Sequence, residues 1–97
     1  MTKSPQDCAN MAELRCVIDA LDRELVSLLA RREACIDRAS ELKQAEALPA
    51  RIPDRVAEVL DNVSAQARAE GADPEVIRAL WTTLIEAAIA REARVLG

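Results

Sequence analysis

The sequence has no histidine, no tyrosine and no phenylalanine, and Trp81 is its one aromatic residue. Without a histidine or tyrosine, a serine or cysteine nucleophile lacks its usual base. Cys8, Cys16 and Cys35 form no closely spaced pair, so a metal site is not expected. Their odd number suits free thiols in a cytoplasmic protein. The aromatic and β-branched signature of sheets is missing, which argues against β structure. With 17 acidic against 13 basic residues, the net charge is −4, and a nucleic-acid footprint would need a basic excess. No apolar run reaches membrane-spanning length, and the polar stretch from Met1 to Asn10 holds no signal-peptide core. There is no glycine-rich phosphate cradle. An enzyme built from this inventory works by positioning and electrostatics, with no covalent intermediate.

What remains is aliphatic. Hydrophobic residues make up 51% of the 97, enough for the core of one domain, built from Leu, Ile, Val and Ala. The only prolines and glycines are Pro5, Pro49, Pro53, Gly71, Pro74 and Gly97. The interval from Gln6 to Leu48 therefore contains no breaker. Within it Leu14, Ile18, Leu21, Leu25 and Leu28, then Cys35, Ala39 and Leu42, recur at spacings of four and three, a heptad-like seam. The fold class read from this pattern is all-α: three helices at about 10–45, 54–70 and 74–95, after a flexible N-terminus over 1–9. Gly71 suits a left-handed cap ending the second helix, and Asp73 with Pro74 suits the start of the third.

The first helix is too long for a chain of this size. About 33 helical residues span roughly 50 Å, whereas a compact monomer of this length is only about 30–35 Å across. Its apolar seam needs a partner, and a two-fold homodimer is the commonest solution. A monomeric three-helix bundle would require a break for which no residue is present.

Some charged residues interrupt the apolar pattern. Continuing the seam from Leu28 lands on Arg32, which is costly to bury unless an anion meets it. Two readings stand side by side: an ion pair or snorkelling arginine, and an anion-binding one. Lys43 follows eleven residues later, within about 20° of the same helix face and about 16 Å further along. The two long cations can hold a small anion between them. Arg15 lies roughly 100° around the axis and reaches such a site only from the other chain of an antiparallel dimer. Arg55 follows the proline loop, where it either closes over a pocket or is ordinary surface charge. Glu92 continues the apolar stripe of the third helix, seven after Ile85 and four after Ala88. It is either solvated near the chain end or a carboxyl in a partly dry pocket, able to hold a proton and donate it in a hydrogen bond.

The segment LRCVIDALDRELVSLLARR from Leu14 to Arg32, ELK ending at Lys43, PDRV from Pro53 to Val56 and LIEAAIARE from Leu84 to Glu92 resemble the all-helical chorismate mutases. The resemblance covers nearly the whole chain. It implies an intertwined homodimer with two active sites and a small dicarboxylate substrate. Arg15 of one chain and Arg32 of the other resemble the carboxylate-binding pair. Lys43 resembles the residue that contacts a carboxylate and the ether oxygen of the breaking C–O bond. Arg55 resembles the cation at the pocket mouth, and Glu92 takes the place of the side chain that hydrogen-bonds the ether oxygen. The implied chemistry is the pericyclic Claisen rearrangement of chorismate to prephenate, in aromatic amino-acid biosynthesis, without metal or cofactor.

Several positions depart from the family pattern. Bacterial mutases often carry Gln where this chain has Glu92, and fungal relatives carry Glu. A glutamate must be protonated to donate, so activity is expected to rise toward mildly acidic pH. Val56 replaces a common glutamate facing the ring hydroxyl, Ile52 replaces an acidic residue, and Ala88 stands where a Ser may occur; these losses thin the contacts to that hydroxyl. An apolar residue after the last arginine is also found in the isochorismate-pyruvate lyases of siderophore salicylate synthesis. The SPQDC opening and the AEALPA loop resemble that branch too. Glu92 favours the mutase, because the lyases keep Gln. A non-catalytic ligand-binding dimer is the third reading, and it leaves the spacing of the four cations unexplained.

Overall fold

A computed structural model describes residues 3–97; Met1 and Thr2, the first part of the expected flexible N-terminus, lie outside the described residues. The chain is all-helical: a 3-10 turn at Pro5–Asp7, then α1 (Met11–Ala45), α2 (Pro53–Glu70) and α3 (Pro74–Leu96). None of these helices is long and apolar enough to cross a membrane. The described residues form two compact units, one ending at Ala34 and the other spanning Cys35–Gly97.

In the first unit, α1 starts on a reciprocal cap. Asn10 Oδ1 accepts from the Glu13 N–H at 3.0 Å, and the Glu13 carboxylate accepts from the Ala9 N–H at 2.7 Å. Two donors that the helix cannot satisfy are thus paired, a variant of the capping box. Lys3 Nζ adds an ion pair to Glu13 at 2.9 Å. The Ala9 N–H, and after it Lys3, hold the Glu13 carboxyl below the usual carboxylate range. Beyond this start the helix presents its seam to solvent. Val17 is buried, but Ile18, Leu21, Leu25 and Leu28 are exposed, Leu25 by 57%.

The second unit holds the last turns of α1 and a hairpin of α2 and α3, which pack on each other. Pro53 opens α2 at a position whose N–H would be unpaired in any residue. Gly71, at φ 75°, closes α2, and the Ala72 N–H reaches back to the Ala67 carbonyl at 2.8 Å. A glycine takes that left-handed conformation without steric cost. Asp73 then caps α3 by accepting from the Glu75 N–H at 3.0 Å. Buried residues in this unit are Ser40, Ser64, Ala67, Ile85 and Glu92. The two serines are satisfied locally, Ser40 Oγ donating to the Ile36 carbonyl and Ser64 Oγ to that of Leu60, so their burial leaves no unpaired hydroxyl.

The connection from α1 to α2 positions the site. The Leu48 N–H donates to the Lys43 carbonyl at 2.8 Å, and the Ala47 N–H to that of Gln44 at 3.4 Å. This is the Schellman pattern, with Ala47 in the left-handed position at φ 56°. Glycine normally fills that place, and an alanine there costs about 1 kcal/mol. The chain then turns through Pro49 and runs into α2.

Candidate active site

Lys43 lies in the last turn of α1, and Glu92 on α3, forty-nine residues later in sequence. Lys43 Nζ approaches Glu92 Oε2 to 2.6 Å and donates a hydrogen bond to the Ala50 carbonyl at 2.8 Å. Glu92 is only 4% exposed, so the reading of a solvated residue near a frayed end does not apply. Glu92 Oε2 accepts no hydrogen bond. The close contact with Lys43 is therefore electrostatic and off the hydrogen-bond axis.

Removing an ammonium and a carboxylate from water costs several kcal/mol per ion, which their attraction repays only with good geometry and further hydrogen bonds. Here the lysine has one further acceptor, whereas the buried Glu92 Oε2 accepts no hydrogen bond. Chemically, the pair offers a cation to an incoming oxygen. It also offers a carboxyl that accepts when ionised and donates when protonated.

The other anticipated residues of this unit are placed less closely. Ala88 lies one turn before Glu92 and is half-buried, as is Val56 on the first turn of α2. Arg55 is exposed and pairs with Glu58 one turn along α2. Among the described residues it makes no ion pair with Glu92. Arg15 and Arg32 belong to the first unit, Arg15 exposed and Arg32 half-buried. Neither has a carboxylate partner among the described residues.

Two bidentate ion pairs that sequence reasoning missed flank Lys43 and Glu92. Asp37 on α1 receives Arg91 of α3, Nε to Oδ1 at 2.6 Å and Nη2 to Oδ2 at 3.1 Å. Arg51 in the connection meets Glu86 of α3 at 2.9 and 2.7 Å. Each arginine fork holds its carboxylate below the usual range, chiefly by hydrogen bonding, and Glu86 in turn raises Arg51. Read singly, all four are ordinary surface charges. Their partners lie 35 and 54 residues away, beyond any local spacing rule.

Comparison with known proteins bears on the family. The isochorismate pyruvate lyase of Pseudomonas aeruginosa is 34% identical over 93 residues, covering 95% of this chain and 90% of that protein. The T-protein of Enterobacter agglomerans is 35% identical over 69 residues, 71% of this chain but 18% of its own length. Residues 14–93 match chorismate mutase type II, a stretch that contains Arg15, Arg32, Lys43, Arg55 and Glu92. With an all-helical fold and a family match over most of its length, the chain belongs to the chorismate mutase type II family.

Proposed function

We propose that the protein is a cytoplasmic chorismate mutase working as a homodimer. The observation that carries this reading is the Lys43–Glu92 pair, in which the half-buried lysine meets a carboxylate buried where an apolar stripe would otherwise continue. In the Claisen rearrangement the ether C–O bond breaks as a C–C bond forms, in one cyclic shift of electrons. No proton, nucleophile or cofactor takes part in that step. Negative charge builds on the ether oxygen, and fixed charges and donors aimed there lower the barrier. Lys43 supplies the cation. Glu92, once protonated, supplies the donor.

Arg32 and the partner's Arg15 hold the two carboxylates and keep the substrate folded, converting a floppy ether into a reactive conformer. Arg55 leaves Glu58 to close the mouth, while Ala88 and Val56 line the wall. The exposed seam through Leu21, Leu25 and Leu28 is the surface on which a second copy packs. On this reading the single domain expected from the chain length is completed by that second copy.

A second reading, isochorismate-pyruvate lyase, is favoured by Val56 and by the Pseudomonas aeruginosa relative, similar over 95% of the chain. The same pocket would fold isochorismate and eject pyruvate, leaving salicylate. A paired assay with both substrates, following prephenate and salicylate together, separates the two. Prephenate well in excess of salicylate is the expected outcome; dominant salicylate makes the protein a lyase, and silence on both from pH 5 to 8 makes it a non-catalytic binding dimer. Glu92→Gln tests the donor role. The amide donates a hydrogen bond without needing a bound proton, so the variant should keep its turnover to within about twofold or gain. A large loss of turnover in Glu92→Gln would count against Glu92 as the donor.

A further inference from the structure

The ammonium of Lys43 sits at the end of four rotatable bonds, and what fixes it is the connection between α1 and α2. From Pro49 to Ile52 this segment is weakly held by its own backbone. Pro49 has no N–H, and among the described residues the N–H groups of Ala50, Arg51 and Ile52 donate no hydrogen bond. The Ala50 carbonyl that receives Lys43 Nζ at 2.8 Å is therefore not located by backbone pairing. The adjacent side chain is the anchor: both guanidinium nitrogens of Arg51 reach both oxygens of Glu86 on α3. Such fork-to-fork pairing adds directional specificity beyond simple attraction. Glu92 rides on the same helix, so α3 carries the carboxyl of the site and also the anchor of the segment that aims the lysine toward it.

We propose that Arg51 is a positioning residue, which through Glu86 holds the 46–52 connection so that the Ala50 carbonyl fixes the Lys43 ammonium beside Glu92. The inference rests on the reading above in taking Lys43 as the group that meets substrate. Arg51 itself touches none of the reacting atoms. Loss of the anchor frees the lysine to sample other rotamers. That weakens a contact made in the transition state more than substrate binding, so kcat falls while KM moves little.

The sequence makes the test direct, because Lys3 and Lys43 are the only lysines. Lysine-selective 13C and 15N labelling of the full chain gives two sets of side-chain resonances, with Lys3 as internal control. Arg51→Ala and Glu86→Gln are expected to move the Lys43 resonances toward those of a free lysine and leave Lys3 unchanged. Both are expected to lower kcat by about threefold to tenfold with KM within about twofold. The exchanged pair Arg51→Glu with Glu86→Arg should restore both readouts in part. Lys43 resonances unchanged in both single variants overturn the inference, whether or not the protein turns over substrate. Shifted resonances with an unchanged kcat in an active enzyme overturn it as well, because the anchor would then be only structural. If the wild type is silent on both substrates, the proposed activity falls separately, and the Lys43 resonances alone decide whether Arg51 positions that lysine.

Discussion

The two units of the chain treat their charged and apolar residues in opposite ways. In the second, Lys43 meets Glu92, Asp37 meets Arg91 and Arg51 meets Glu86, and each interrupting charge has found its counterpart. In the first, beyond the capped start of α1, Arg15 and Arg32 have no carboxylate among the described residues, and the leucines of the seam face solvent. One unit pairs these charges within itself, although Glu92 Oε2 still accepts no hydrogen bond. The other carries an exposed apolar seam and two arginines, which on the proposed reading meet a second copy and an anionic substrate.

The largest expected effect breaks the unsatisfied side of this contrast. Leu25→Glu puts a carboxylate into the proposed pairing surface, and burying one unpaired costs several kcal/mol. Sedimentation should show a dissociation constant raised by at least about a hundredfold, with activity lost alongside. A dimer of undiminished affinity would place the pairing surface elsewhere. Arg32→Ala comes next: a drop in kcat/KM of about a hundredfold or more, with the dimer intact. Retained activity would make Arg32 a structural residue.

The satisfied side breaks with acid. Asp37 and Glu86 are held below the usual carboxylate range in the folded state. Their contribution is complete above that range and is lost as pH falls through the lowered folded values. Thermal melts from pH 7 down to about 3 should show stability declining below about pH 4. Asp37→Asn should make that decline shallower, and an unchanged acid limb would mean that the Asp37–Arg91 pair contributes nothing measurable. The smallest effect is at Ala47, at φ 56°. Ala47→Gly relieves left-handed strain and should raise stability by roughly 0.5–1 kcal/mol, read as a melting temperature a few degrees higher. A lower melting temperature would show that alanine's gain in the unfolded chain outweighs the strain.

The helices were legible in the sequence because their signals are local. Pro53, Gly71, Asp73 and Pro74 mark the ends of α2 and α3, and the breaker-free interval gives α1, expected over about 10–45 and found at Met11–Ala45. The family pattern pointed to Lys43 and Glu92 as candidates, and helix periodicity placed Glu92 on an apolar stripe. Periodicity assigns residues to faces, but it does not say which faces meet, so the contact between those two side chains required the fold. Arg51 and Glu86 gave no such hint: an arginine in a loop and a glutamate on an exposed helix face are what solvated surfaces ordinarily carry. Ala47 was equally hidden, because a left-handed cap announces itself through glycine and this one uses alanine.

The order of the charges on α1 and α3 also limits how these helices can slide. Asp37 and Lys43 present negative then positive along α1, and they meet Arg91 and Glu92, positive then negative, on α3. Aliphatic surfaces tolerate a shift of one step at modest cost. Here a shift bringing Glu92 toward Asp37 sets two carboxylates against each other, and one bringing Arg91 toward Lys43 opposes two cations. Mismatched charges penalise the wrong alignment more than matched charges reward the right one. The pairs act as a register key, and the alignment they select is the one that leaves an ammonium and a carboxyl side by side.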